Sequence, residues 1–215
     1  GKEGYYKYDF KTMPADVLGT VYEQYLGHKL AQAAKGDLFD TKDIEISKDA
    51  RRRKEQGIYY TPSFIVDYIV DKSLRPILEK CETIADLKRV RVVDPACGSG
   101  SFLVKALQKI NEKYVDFGAP GDERTKLQIL MENIYGVDLD SQAVEIARLN
   151  LLIAALDKRM KLPNLTNIKN GNSLISGSPE ELKKYFGKSW RDKHPFNWGE
   201  EFPKVFKDGG FDVVI

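Results

Sequence analysis

The sequence predicts an α/β fold in which a doubly wound parallel sheet of about four strands follows an N-terminal helical segment. Three observations support this prediction. Short apolar segments alternate with helical stretches from Val90 onward, the first of these segments ends on Asp94, and a turn with Gly98 and Gly100 follows at once. A carboxylate and a glycine-rich turn at the carboxyl end of a parallel strand are typical of a nucleotide-type cofactor site.

The first part of the chain is predicted to be helical and then charged. Apolar residues recur at helical spacing from Pro14 to Ala34, and Pro14 suits a first helical turn. The segment Asp37–Glu55 is polar and ends in the basic run Arg51–Lys54, which we interpret as an exposed linker in preference to a nucleic-acid contact. We therefore divide the chain into an N-terminal helical and charged region, residues 1–56, and a cofactor-binding domain, residues 57–215.

The domain from residue 57 is predicted to begin with a helix. Thr61 is expected to be its N-cap and Pro62 its first residue, with the helix running towards Glu79. The alternating pattern then predicts strands at Val90–Asp94, Ile134–Asp138, Thr166–Lys169 and Phe211–Ile215, and helices at Ser101–Phe117, Asp122–Asn133 and Ser141–Leu156, the last capped by Ser141. Right-handed crossovers place the first strand inside the sheet. The stretch Gly177–Gly210 is predicted to be an elaborated loop with some helix, its aromatic residues packing in a core.

Composition excludes several classes of protein. With 42% hydrophobic and 31% charged residues, the chain resembles an ordinary soluble globular protein, and its net charge of +2 neither requires nor excludes a nucleic-acid partner. No run of about 18 apolar residues is present, so we expect no membrane span. Cys81 and Cys97 are too few and too distant for a disulfide framework, which favours a cytoplasmic protein. His28 and His194 are isolated, so we predict no metal site.

The glycine turn favours a cofactor without phosphates. A dinucleotide site needs a third glycine, where this chain has Leu103, and an acid about 20 residues further on. The next strand-end acid, Asp138, lies about twice that distance away, and no Gly-Lys-Ser/Thr of a P-loop follows the glycines. S-adenosylmethionine needs only one close approach at the turn and an acid for its ribose on the second strand. It therefore fits this pattern better than a dinucleotide does.

Four motifs in sequence order resemble those of the amino-group, γ-class N6-adenine DNA methyltransferases. They are Gly57–Pro62 (GIYYTP), Asp94–Phe102 (DPACGSGSF), Tyr135–Asp140 (YGVDLD) and Gly171–Leu174 (GNSL). The segment Val17–Gly27 is similar to the helix that precedes this domain in modification subunits and in fused restriction–modification enzymes. The resemblance covers roughly residues 57–215 and implies a Rossmann-like methyltransferase sheet that binds S-adenosylmethionine.

The resemblance also implies roles for individual residues. Tyr60 and Thr61 would contact the methionine end of the cofactor, where an aromatic ring attracts the sulfonium. Asp94 would accept from the cofactor's amino group, and Asp138 would hold the ribose hydroxyls through both carboxylate oxygens. The loops would supply the remaining members of the cofactor site, which are Ala96, Cys97, Gly98, Gly100, Phe102, Leu139, Asn172 and Ser173.

Several of these residues have a structural interpretation as well. Thr61 could serve as a helix cap alone, and Phe102 could be a core residue instead of a wall of the cofactor site. Asp140 is a better candidate than Asp138 for an acid that only favours a helix N-terminus. Asn172 departs from the Asp that many family members carry, and its amide oxygen would accept a weaker hydrogen bond from the adenine amino group. Ser173 would line the adenine, and Cys97 is expected to be a small buried packing group.

The resemblance implies a catalytic motif that this sequence does not contain. Family members carry an Asn/Asp-Pro-Pro-aromatic motif after the fourth strand, where its polar groups accept hydrogens from the flipped-out adenine. Phe211–Ile215 resembles that strand, so we expect the motif to lie beyond Ile215, no catalytic residue within the chain and no methyl transfer by this part alone. Double-stranded DNA would contact mostly other parts of the parent protein. A restriction or specificity subunit, or a fused nuclease, would be a further partner.

Two other classes of function stay open at this point. A methyltransferase acting on protein or RNA would share the cofactor half of the site. A non-catalytic module for DNA docking or scaffolding would share the fold, but it gives no reason for Asp94, Gly98 and Asp138 to stand at strand ends. An NAD-dependent oxidoreductase is disfavoured by Leu103.

Overall fold

A computed structural model describes residues 61–156 and 163–215 of the chain. The N-terminal helix, the charged linker, the domain boundary after residue 56 and Tyr60 lie outside the described residues. The described part forms a parallel sheet covered by helices, which confirms the predicted fold class.

The sheet within the described residues has four strands, all parallel, in the spatial order β3-β2-β1-β4. The strands are β1 (Val92–Asp94), β2 (Ile134–Asp138), β3 (Ile168–Asn170) and β4 (Val213–Val214). Since β2 and β3 extend to one side of β1 while β4 lies on the other, the sheet is doubly wound and its first strand is interior, as predicted. The strands at both ends of the chain order are shorter than predicted, because Val90 closes a turn on Leu87 and Phe211 packs in a core.

Five helices lie between the start of the described chain and β3. They are α1 (Ser63–Leu78), α2 (Ile84–Leu87), α3 (Ser101–Asp116), α4 (Glu123–Glu132) and α5 (Ser141–Ala155). The sequence pattern did not predict α2, because four residues are too few to show a helical period. In the described part of the chain, none of the helices is long and apolar enough to cross a membrane.

Two predicted helix caps are wrong. Pro62, and not Thr61, occupies the N-cap position of α1, and its carbonyl accepts from the N–H groups of Ile65 and Val66. Proline fixes φ but leaves ψ free, so Pro62 with ψ 142° can stand just outside the helix as well as inside it. Asp140 caps α5 by accepting from Gln142 N–H, which makes Ser141 the first helical residue.

The segment between β3 and β4 is a helical excursion, in agreement with the predicted elaborated loop. It contains α6 (Pro179–Phe186), a 3₁₀ helix (Gly187–Lys193), α7 (Trp198–Glu201) and α8 (Pro203–Lys207). A capping box between Ser178 and Glu181 starts α6, with Pro179 in its first turn. These elements return the chain to the edge of β1, where β4 pairs with it.

The two faces of the sheet carry separate cores. Helices α1, α3, α4 and α5 cover one face with aliphatic side chains such as Leu74, Leu107, Ile129 and Leu151. The other face presents Val93, Tyr135 and Val137 to an aromatic cluster from the excursion, formed by Phe196, Trp198, Phe202 and Phe211. The prediction that the aromatic residues of this stretch pack in a core is therefore confirmed. With both faces covered, the carboxyl edge of the sheet is the place where loops from three strands meet.

Candidate binding site

The carboxyl ends of β1 and β2 bring two carboxylates to the same edge of the sheet. Asp94 ends β1 and is only 5% exposed, and its Oδ1 accepts from the N–H of Ala96 at 3.0 Å. Asp138 ends β2, which pairs directly with β1. Because both strands run parallel, these acids lie at neighbouring strand ends, as the sequence predicted.

The two glycines of the turn after β1 serve different purposes. Gly98 has φ +52°, and a Cβ placed on it would meet nothing within 4 Å, so its bare backbone faces open space. Gly100 has φ +87° and is the N-cap of α3, and a Cβ there would lie 3.2 Å from Cα and Cβ of Ala147 on α5. Gly98 thus leaves room for a ligand at the turn, whereas Gly100 allows two helices to approach each other.

A third glycine lies where no motif predicted it. Gly136 is in the middle of β2, and a Cβ on it would lie 2.8 Å from Cδ1 of Leu103 and 3.1 Å from Sγ of Cys97. In dinucleotide-binding proteins the third glycine of the turn lets helix and strand pack closely. Here the glycine is on the strand and the large residue, Leu103, is on the helix. A glycine in the middle of an apolar strand is the signal that could have identified this contact.

The turn after β1 is joined to the acid after β2 by a direct hydrogen bond. Gly98 donates its N–H to Oδ2 of Asp138 at 2.7 Å, while the N–H of Asp140 reaches Oδ1 at 2.8 Å. Each oxygen of the Asp138 carboxylate therefore has one donor from the main chain. Since a carboxylate oxygen can accept two hydrogen bonds, each keeps one site for a ligand hydroxyl.

Burial raises the pKa of both acids. Burial brings the pKa of Asp94 to about 7, and the charge of Asp138 adds to this effect while the Ala96 N–H opposes it. Burial also raises the pKa of Asp138, against the lowering effect of the N–H groups of Asp140 and Gly98. Two acids whose charged forms are disfavoured by burial are arranged to receive hydrogen-bond donors or a cation.

Cys97 lies in the same turn and is buried, which confirms the prediction of a small packing group. Its N–H donates to the carbonyl of Val137 at 3.0 Å, and its carbonyl accepts from Gly100 at 2.8 Å. Burial raises the pKa of the Cys97 thiol well above its usual value, so the group is neutral and unreactive at physiological pH.

The loop after β3 completes this edge of the sheet. Gly171 donates to the carbonyl of Asp138 at 2.9 Å, which continues the β2–β3 pairing into the loop. Asn172 accepts from the N–H of Leu174 through Oδ1 at 3.2 Å, and Ser173 accepts from the indole N–H of Trp198 at 3.0 Å. The Asn172 oxygen expected to receive an adenine amino group therefore already holds one N–H and keeps one free lone-pair direction.

The remaining predicted site residues lie around these loops. Leu139 follows Asp138 and is 38% exposed, whereas Phe102 is half-buried and packs against the larger core. Thr61 is half-buried immediately before α1. Its contact with a cofactor stays a prediction, as does that of Tyr60, which lies outside the described residues.

The comparison with known proteins agrees with this architecture. Residues 13–188 match the model of the family described as N-6 DNA Methylase. The chain is 28% identical over 219 residues to a putative type II restriction enzyme and methyltransferase of Methanocaldococcus jannaschii, with 78% of this chain and 17% of the relative covered. It is 26% identical over 196 residues to the adenine-specific methyltransferase PglX of Streptomyces coelicolor, with 84% and 15% covered.

A third relative is the type II restriction enzyme and methyltransferase RM.Eco57I of Escherichia coli, at 29% identity over 196 residues, with 78% of this chain and 18% of the relative covered. The chain thus spans less than a fifth of the length of each of these three proteins. The family model, in contrast, matches most of the chain and includes β1, β2, β3 and the loops that follow them. The chain belongs to the N-6 DNA methylase family.

Proposed function

We propose that the carboxyl edge of this sheet binds S-adenosylmethionine, and that the protein containing this chain methylates N6 of adenine in double-stranded DNA as part of a restriction–modification system. The observation that carries the proposal is the 2.7 Å hydrogen bond from Gly98 to Asp138, which joins the glycine turn and the second acid in one site. Membership of the N-6 DNA methylase family supports the class of reaction. The names of the relatives support adenine as the target and a restriction enzyme as the partner.

The residues present fit this cofactor. The open space beside Gly98 allows a ligand to approach the backbone. The Asp138 carboxylate keeps one acceptor site on each oxygen for two ribose hydroxyls. The buried Asp94 carboxylate suits the ammonium group of an amino acid, because an opposite charge offsets the penalty of burying the acid.

The cofactor supplies a methyl group made electrophilic by its sulfonium sulfur. In our proposal the chain's own residues bind and orient that donor, and none of them transfers a proton. Leu139, Asn172 and Ser173 surround the adenine of the cofactor, with Asn172 accepting from the amino group through its free lone pair. The backbone from Ala96 to Gly100, with Phe102 behind it, encloses the remainder, and Tyr60 and Thr61 contact the methionine end.

Calorimetric titration with S-adenosylmethionine tests the cofactor assignment. We expect Asp138→Ala to raise the dissociation constant roughly 10- to 100-fold, because hydrogen bonds to a charged acceptor are lost. The matched control is Asp122→Ala, which removes an acid of the same kind from the N-cap of α4. Tighter binding of NAD than of S-adenosylmethionine, or equal effects of the two substitutions, would overturn the assignment.

Detection of N6-methyladenine in the genome of the source organism tests the reaction. Introducing Asp138→Ala into the gene should abolish methylation at one recurring DNA sequence, while Asp122→Ala should preserve it. Unchanged methylation at every site in the Asp138→Ala strain would contradict the proposed reaction. Methylation lost from RNA or protein instead of DNA would identify the alternative class of methyltransferase.

A further inference from the structure

Two asparagines outside the four motifs bind the backbone of the loops at this edge. Asn170, the last residue of β3, donates from Nδ2 to the carbonyls of Asp138 and Leu139, at 2.9 Å each. Asn150, on α5 and only 2% exposed, donates from Nδ2 to the carbonyl of Ser99 at 2.9 Å. The first asparagine thus holds the loop after β2, and the second holds the turn after β1.

The contacts of Asn170 continue directly to the acid. The carbonyl of Asp138 accepts from Asn170 Nδ2 and from Gly171 N–H, each at 2.9 Å, so its main chain is held from the β3 side. The carboxylate of the same residue then receives Gly98 N–H on the β1 side. Asp138 is therefore fixed by hydrogen bonds from both neighbouring loops, and the Asn170 amide supplies two of the bonds to its main-chain segment.

The opposite edge of the sheet uses the same chemistry for a purely structural purpose. Asn167 precedes β3 and donates from Nδ2 to the carbonyls of Met131 at 2.8 Å and Leu130 at 3.4 Å. It has the same side chain as Asn170, it flanks the same strand, and it also binds two consecutive carbonyls. Since its partners end α4 at the amino side of β2, Asn167 provides a matched control.

We propose that Asn170 is a positioning residue for cofactor binding: through the main chain of Asp138 and Leu139 it sets where the Asp138 carboxylate meets the ribose. This inference rests on the proposed function. Asparagine suits the position because its amide carries two N–H donors on a short side chain, whereas an aspartate would turn a negative charge towards two carbonyl oxygens. Asn150 supports the neighbouring turn in the same manner, through the carbonyl of Ser99.

A double-mutant cycle between Asn170 and Asp138 tests the proposal, with S-adenosylhomocysteine as the probe in calorimetry. We expect Asn170→Ala to raise its dissociation constant roughly 3- to 30-fold, and Asn167→Ala to change it less than about twofold. In the Asp138→Ala background, Asn170→Ala should add less than about a twofold change, because the carboxylate that it positions is gone. Independent, multiplying effects of the two substitutions would overturn the positioning role.

Amide hydrogen exchange gives a second measurement that needs no ligand. Asn170→Ala should accelerate exchange at Gly98 and Asp140, whose N–H groups bind the Asp138 carboxylate, and Asn167→Ala should not. Asn170→Ser, which keeps one donor, should lie between wild type and alanine in both measurements, and it replaces the alanine variant if that variant does not fold. Unchanged exchange and binding in the Asn170 variants would refute the positioning role alone, whereas failure of the wild-type protein to bind the probe would refute the proposed function as well.

Discussion

Leu103 on α3 occupies the space above Gly136 on β2, where a Cβ would lie 2.8 Å from the leucine Cδ1. Leu103 is fully buried, so the close contact between helix and strand is made by a leucine that fits over a bare glycine. The absence of a third glycine from the turn after β1 is therefore compensated on the neighbouring strand. The contact also keeps α3, and with it the glycine turn that starts the helix, close to the acid at the end of β2.

The contact between Leu103 and Gly136 predicts a specific pattern of coupling. We expect Gly136→Ala to lower the free energy of unfolding by roughly 1–3 kcal/mol, because the added methyl group overpacks the core against Leu103. Shortening the partner in the double variant Gly136→Ala with Leu103→Val should recover part of this loss. Urea unfolding of the single and double variants measures the coupling, and simple additivity would contradict the contact.

Gly98 and Gly100 should respond differently to alanine. Gly98→Ala is expected to cost roughly 1–2 kcal/mol of stability for its left-handed backbone, and its methyl group would project into the open space assigned to the cofactor. Gly100→Ala has the same backbone penalty and also a contact of 3.2 Å with Ala147, so it should destabilise the protein more. Urea unfolding should rank Gly100→Ala as less stable, while S-adenosylmethionine titration should rank Gly98→Ala as the greater loss at temperatures where both are folded.

The stability of the ligand-free protein should depend on Asp94. Its pKa of about 7 in the folded protein exceeds the usual value of 3.8, because burial disfavours the charged form. An acid with a raised pKa binds its proton more tightly when folded. Its contribution to the free energy of unfolding is therefore unfavourable above pH 4, grows as the pH rises to about 7, and is constant beyond that.

Asp94→Asn removes this titration and keeps an oxygen that can accept from Ala96. We expect the variant to gain stability relative to wild type by roughly 2–4 kcal/mol between pH 4 and pH 8, measured as the difference in urea unfolding at each pH. Asp138 also has a raised pKa but is present in both proteins, so its effect largely cancels in the difference. A difference that does not change with pH would contradict the burial of a charged Asp94.

The aromatic core on the second face of the sheet predicts a contrast between two phenylalanines. Phe202 is 5% exposed, and its ring centroid lies 5.3 Å from that of Tyr135 and 5.8 Å from that of Phe211. We expect Phe202→Ala to lower the free energy of unfolding by about 3–5 kcal/mol. Phe206, which is 46% exposed, is the control and should cost about 1 kcal/mol or less. Similar losses for both, in thermal or urea unfolding, would show that this cluster does not stabilise the sheet.

The types and order of the main elements could be predicted because each long element carries its own periodicity. The helix now bounded as Glu123–Glu132, for example, was predicted with its two capping positions included. Short or context-dependent features could not be predicted in the same way. The four-residue helix Ile84–Leu87 is shorter than one hydrophobic repeat, and the choice of Pro62 over Thr61 as N-cap depends on the backbone angle at which the chain enters α1.

Sequence alone determined the residue types of the candidate site, because a strand-end carboxylate and a glycine turn are local patterns that Asp94, Gly98 and Asp138 display without their partners. Tertiary structure decided which groups meet. The hydrogen bond from Gly98 to Asp138, the leucine packed over Gly136 and the amide of Asn170 on two carbonyls each join segments more than 30 residues apart. Such contacts follow from strand order and register, and no local periodicity encodes the distance between two strand ends.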